Sequence, residues 1–359
     1  MTIDTVRLQG IIERHRRFWD GSDAPLPIVG IYPDSHHLPA WFVPAAGRPV
    51  RPEDLDFARL LETRSGIVSI TGGHDMAPTL VPTWEIPWAE IIAGSRLDAS
   101  DGHLWPSGLA AGDADALFRE GSLVPDDAWM SKLADVMETM SSHVELTPHV
   151  GKRPASDYVA ATGHVRGASD VLAALTGHEQ MCLKMMDDPE GARRALRACS
   201  GVSLSVAREM LRGVRRYEGG VFNRYGLWAP GPTVVYQEDA AVVLSPELYR
   251  DLVHPHDGEM ARTVPCAVLH LHSACLEYVL PLVLELDALR CVEIWIDDPG
   301  PALEDLMQTL KSLQERKSLV LGGDFSPEQL KSIVDRLHRG RLYIQVSGDM
   351  FRLFEETYL

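Results

Sequence analysis

Positive charge is scarce in this chain. Its 34 Lys and Arg stand against 51 Asp and Glu, a formal net charge of −17. Free nucleic-acid binding rests on cationic neutralisation of phosphate, so that function is disfavoured. Long apolar runs are missing too, which argues against a membrane-spanning helix. The opening MTIDTVRLQGIIERHRRFWDG reads as an amphipathic helix without the apolar centre of a signal peptide. Cysteines are few: Cys182, Cys199, Cys266, Cys275 and Cys291 are odd in number and dispersed. That pattern predicts reduced, buried thiols in a cytoplasmic protein. The phosphate-cradling GxxxxGK(S/T) and GxGxxG loops, the GxSxG elbow and CxxC are absent, which disfavours nucleotide binding and serine hydrolysis. No internal repeat or low-complexity linker divides the chain.

What is present is an alternation. Short β-rich runs at 26–32, 66–72, 158–163, 219–226, 267–272, 291–297, 318–323 and 342–347 are separated by helical patterns. Ser245-Pro246-Glu247 and Ser326-Pro327-Glu328 mark helix starts, each an N-cap residue followed by Pro and an acid. Eight strands alternating with helices predict one (β/α)8 barrel (a TIM barrel) over residues 1–359, with an N-terminal helix. The Trp-, Pro-, Gly- and Asp-rich stretch 73–126 is expected to form a cap-like excursion over one end.

The run CAVLHLHSAC (266–275) carries the sharpest chemical signal. Side chains two apart on a strand share a face, so His270 and His272 point at one place. Both are metal-ligand types, and Cys275 follows. In a barrel, the residues after each strand gather on the active-site face. Here they are Asp34, His36 and His37; His74 and Asp75; His164 and Arg166; Asn223 and Tyr225; His270 and His272; Asp297 and Asp298; Asp324; and Asp349. Some have plainer roles: Asp298 precedes Pro299-Gly300 as a turn residue, Asp324 precedes the Ser326 cap, and His36-His37 reads as surface. His74-Asp75 follows a Gly-Gly bend where backbone can approach a ligand.

Several segments then form an ordered set. Gln237-Glu238-Asp239, LSPELYRDLVHPH (244–256), the HLHS strand and GGDFSPEQL (322–330) resemble the C-terminal half of the uroporphyrinogen decarboxylase superfamily. Gly163-His164-Val165-Arg166-Gly167, LTGHEQ and MMDDPEG (185–191) are similar to its middle segment. IPWAEIIAGSRL (86–97) resembles a segment of its methyltransferase-like branch, which includes zinc-dependent, cobamide-linked enzymes. The resemblance implies a (β/α)8 barrel and zinc held by a His-x-Cys strand end plus a Cys near the last strand. Here those positions hold His270, His272 and Asp349, a harder and less thiophilic set.

The resulting expectation is methyl transfer by Lewis-acid activation of a small molecule, with a divalent metal, zinc by the resemblance, and a corrinoid carried by a partner protein. Asp239 and Tyr225 are the expected orienting or proton-transfer groups, with His74 and Asp75 as further catalytic candidates. His164, Arg166, Arg224 and Trp228 are the expected substrate-binding residues. The alternatives are a metal-free decarboxylase using Asp75 and a non-catalytic corrinoid-protein partner; a homodimer is left open. A heme-pathway decarboxylase is disfavoured, because its substrate is a polyanion and only Arg166 and Arg224 are basic candidates at the rim.

Overall fold

A computed structural model describes residues 5–33, 38–45, 47–63, 66–83, 85–146, 149–150, 153–154 and 158–359. Asp34, His36 and His37 lie outside the described residues. The framework is a mixed α/β arrangement around an eight-stranded sheet. In chain order its strands are β1 (Ile28–Ile31), β2 (Gly72–His74), β3 (His164–Arg166), β4 (Val235–Gln237), β5 (Val268–His272), β6 (Cys291–Trp295), β7 (Ser318–Gly322) and β8 (Leu342–Val346). In space they run β3-β4-β5-β6-β7-β8-β1-β2. All neighbours are parallel except β1 and β2, which are antiparallel.

The C-terminal half follows its sequence pattern closely. Every residue of SLVLG in β7 and LYIQV in β8 is buried, as a parallel strand covered on both faces requires. Each of β5 to β8 is followed by a helix, at Leu276–Glu285, Leu303–Arg316, Pro327–Arg336 and Gly348–Tyr358. The Ser326 hydroxyl accepts from the Gln329 N–H at 3.2 Å, and the Gln329 side chain returns to the Ser326 N–H. The helix expected over 246–263 is less regular. It widens into a π-turn at Tyr249–Val253, just before Pro255, which has no N–H to continue the ladder.

The N-terminal half departs from the expected strands. The stretches read at 66–72, 158–163 and 219–226 form the strands Val68–Ile70, Val159–Ala160 and Val221–Phe222 in smaller sheets, and of their residues Gly72 alone enters the main sheet. Their places in the main sheet are taken by β2, β3 and β4. Val159–Ala160 pairs parallel to Thr79–Leu80, which pairs antiparallel to Val68–Ile70. Among the described residues no sheet closes on itself, so the hydrogen bonding forms an open sheet rather than the expected closed ring. Backbone approach dictates Gly73: a Cβ there would sit 2.0 Å from the Val29 carbonyl oxygen.

Helix α1 (Thr5–Asp20) sits at the N-terminal ends of the strands. The Phe18 carbonyl accepts from Ser318 Oγ at 2.6 Å, and the Trp19 carbonyl accepts from Arg290 at 2.9 Å. Phe18 and Trp19 pack with Ile28, Val235, Val268, Cys291, Val320 and Tyr343, each from a different strand of the sheet or the residue leading it. Burying a side chain the size of Phe18 contributes about 2–3 kcal/mol. One end of the sheet is thereby filled, and the C-terminal end is left for the site. Among the described residues no helix is long and apolar enough to cross a membrane.

The stretch 73–126 contains the helix Trp88–Ile92, a hairpin of Leu97–Ser100 with His103–Pro106, and the helix Ala111–Glu120. It packs on the helices around Asp127–Leu146 and Pro189–Gly213. None of its described residues lines the cavity at the strand ends.

Candidate metal centre

At the C-terminal end of the sheet lies a cavity of about 490 Å³. β5 alternates buried apolar residues with His270 and His272, both turned into it. Their rings lie edge to face with centroids 5.0 Å apart. Asp239, just past the end of β4, completes the group: Asp239 Oδ1 is 3.6 Å from His270 Nε2 and 3.7 Å from His272 Nε2. Each residue offers one ligand atom, and the three atoms lie within 4.8 Å of one another.

Both imidazoles are oriented from behind by carboxylates. His270 pairs with Glu293 in the β5–β6 register, and its Nδ1 is hydrogen-bonded to the Glu293 carboxylate. His272 Nδ1 is 2.6 Å from Asp297 Oδ1. With Nδ1–H donating to a carboxylate, each Nε2 presents its lone pair toward Asp239. Burial opposes the positive charge of His270, but Glu293 and then Asp239 outweigh it and raise its pKa. Burial likewise opposes the charge of Asp297. The hydrogen bonds from His272, the Ala274 N–H and the Ser273 hydroxyl prevail and hold that carboxylate below its ordinary range.

Asp239 is held by its own loop. Gln237 Nε2 donates to Asp239 Oδ2 at 2.6 Å, whereas Asp239 Oδ1 is buried with no hydrogen-bond partner. The loop is clasped to the start of the helix Ala168–Thr176 in both directions. The Ala168 and Ser169 N–H groups donate to Glu238 at 2.8 and 3.1 Å, and the Ala240 N–H donates to Asp170 Oδ1 at 2.8 Å. A helix N-terminus offers unpaired N–H groups of this kind, and an acid is the natural partner.

Tyr225 and Arg224 reach the cavity on a tight turn between Val221–Phe222 and Trp228–Ala229. Asn223 builds that turn: its Oδ1 accepts from the Tyr225 N–H at 3.0 Å, and its carbonyl accepts from Gly226, whose φ is +67°. The Tyr225 hydroxyl lies 3.5 Å from His270 Nδ1. Burial, then the Glu293 charge, pushes this phenol well above its ordinary pKa, so it remains a hydrogen-bond donor. His164 also lines the cavity; burial, with Arg224 and Arg166 nearby, holds its ring neutral.

Other expected residues lie elsewhere. Asp349, the anticipated third ligand, sits in the first turn of the last helix, exposed and paired with Arg352. It is Asp239 that the structure groups with the two histidines. His74 and Asp75 end the one antiparallel strand of the sheet, and that direction carries Asp75 toward α1. There Asp75 Oδ2 is 3.5 Å from Arg14 and its carbonyl is bonded to His15 Nε2 at 2.9 Å. The His74 ring packs near Phe354. Trp228 is buried, its indole donating to the Tyr217 carbonyl at 2.8 Å and its backbone N–H to His15 Nδ1 at 2.9 Å. Arg166 pairs with Glu90 at 3.2 Å and Asp170 at 3.9 Å, outside the cavity lining. Cys275 donates to the His272 carbonyl at 3.2 Å, and burial pushes its thiol up to about 12, outside the ligand group.

Sequence reasoning missed Glu293 altogether. Its signal was an acid inside an otherwise apolar strand, CVEIW, where a buried carboxylate demands a partner. Comparison with known proteins finds no matching family and no similar curated protein.

Proposed function

We propose that this chain is a mononuclear divalent-metal enzyme acting on a small oxygen-containing molecule. The observation that carries the reading is Asp239 Oδ1, a buried acceptor without a donor, facing two imidazole nitrogens whose opposite nitrogens are committed to Glu293 and Asp297. Carboxylate-backed histidines converging with a third ligand are the usual build of a metal site with an open position. Bound there, a divalent ion supplies a Lewis acid. Zinc suits two histidines and a carboxylate, as do other first-row ions.

The chain's own residues supply the rest. His270, His272 and Asp239 would hold the ion, Tyr225 offers a hydrogen-bond donor in the cavity, and neutral His164 offers a site for proton transfer. The hard ligand set favours activating an oxygen over a thiol. Methyl transfer, with a corrinoid on a partner protein as donor or acceptor, is the reaction class suggested by the resemblance to the methyltransferase-like branch. We read the two sheets as one distorted (β/α)8 barrel: the chain runs from Val68–Ile70 into β2 and from Val159–Ala160 into β3, linking their edges. The metal-free decarboxylase reading loses its proposed acid, since Asp75 faces α1.

Elemental analysis of the purified protein, with equilibrium dialysis against zinc and cobalt, tests the metal. The expected result is one ion per chain, lost in His270→Ala. Wild-type protein that binds neither ion would refute the proposal.

A further inference from the structure

Besides the candidate metal ligands, the cavity lining holds two buried polar groups without a hydrogen-bond partner. Gln345, on β8, is 5% exposed and its Nε2 has no hydrogen-bond partner; Ser69 is 6% exposed and its Oγ has none. Both line the same cavity as His270 and Asp239. Leaving such groups unpaired is costly, and a ligand that pairs them recovers that cost. An amide nitrogen only donates, so the group it awaits is an acceptor. The lining also includes the apolar surfaces of Ile70, Tyr225 and Trp295. Three strand steps separate β5 from β8, on the order of 14 Å along the sheet and less across it. A ligand that reaches from His270 to Gln345 is therefore several carbons long.

We propose that the site takes a small organic molecule with an oxygen acceptor at each end. One oxygen faces Asp239, His270 and His272, and the other is held by the Gln345 amide and the Ser69 hydroxyl. The first contact rests on the metal reading above; the second rests on Ser69 and Gln345 alone.

A matched probe series tests this. Carboxylates of about four to eight carbons, with the far end a ketone or an unsubstituted alkyl group, are titrated into cobalt-loaded protein while the cobalt absorption is followed. Calorimetry on the metal-free protein is run alongside. The ketone series is expected to bind roughly tenfold or more tightly than the alkyl series. In Gln345→Leu the ketone preference is expected to vanish while alkyl binding is retained, which also reports an intact fold; Ser69→Ala is expected to reduce the preference in part. No ketone preference in the wild type, or a preference that survives both substitutions, overturns the inference. If cobalt fails to bind, the metal reading falls, while calorimetry still reports the far-end preference. The two failures are thus distinguishable.

Discussion

His270 and Glu293 lie directly opposite each other in the parallel register of β5 and β6, joined by a hydrogen bond from the imidazole Nδ1 to the carboxylate. Glu293 is 1% exposed, so its acid group is present for this partner and not for solvent. The pairing fixes the ring and aims Nε2 at Asp239.

From this follows a first expectation. Glu293→Gln should weaken metal binding about 10- to 100-fold, as loss of a carboxylate behind a ligating imidazole does. Competition with a chromophoric chelator measures it. Unchanged affinity would show that Glu293 does not orient the ligand.

The clasp between the 237–240 loop and the start of the helix Ala168–Thr176 makes a second. Asp170→Ala leaves the buried Ala240 N–H without its acceptor, at a cost of about 1–3 kcal/mol. Because Ala240 adjoins Asp239, metal affinity should fall along with thermal stability. Asp170→Asn, which keeps an acceptor oxygen, should recover much of both. A stability loss with no change in metal affinity would make the clasp purely structural.

Acid stability supplies a third. His15 is fully buried, its Nδ1 accepting from the Trp228 N–H and its Nε2 donating to the Asp75 carbonyl. Burial, which outweighs the Asp75 hydrogen bond, lowers its pKa from 6.5 to about 3. The unfolded chain therefore takes up the proton first as pH falls. The stability contributed by the neutral ring is complete above 6.5 and is lost between there and about 3. Denaturant melts across that range should show a decline that is shallower in His15→Leu, a variant less stable at neutral pH. Parallel pH curves would count against the assignment.

Asp349 and His74 give a fourth. Asp349→Ala and His74→Ala should leave metal content unchanged. Asp349 forms an exposed pair with Arg352, worth about 0–1 kcal/mol, and His74 packs near Phe354. Loss of the ion in Asp349→Ala would restore Asp349 to the ligand set.

Sequence alone determined what is local. The alternation in VLHLH put both histidines on one face, the largely apolar runs of β7 and β8 marked strands, and Ser326-Pro327-Glu328 marked a helix start. Each depends on neighbours within a few residues, where backbone period and capping chemistry act. Tertiary structure decided the partners. Which acid joins the histidines depends on where the loops after β4 and β8 come to rest, so Asp239 and not Asp349 meets them. Glu293 acquires its role only when β6 pairs with β5 in one register. Asp75 loses its expected role because its strand runs antiparallel, which places that strand's end beside α1. Register and strand direction are set by hydrogen bonds between segments far apart in the chain, and no local pattern encodes them.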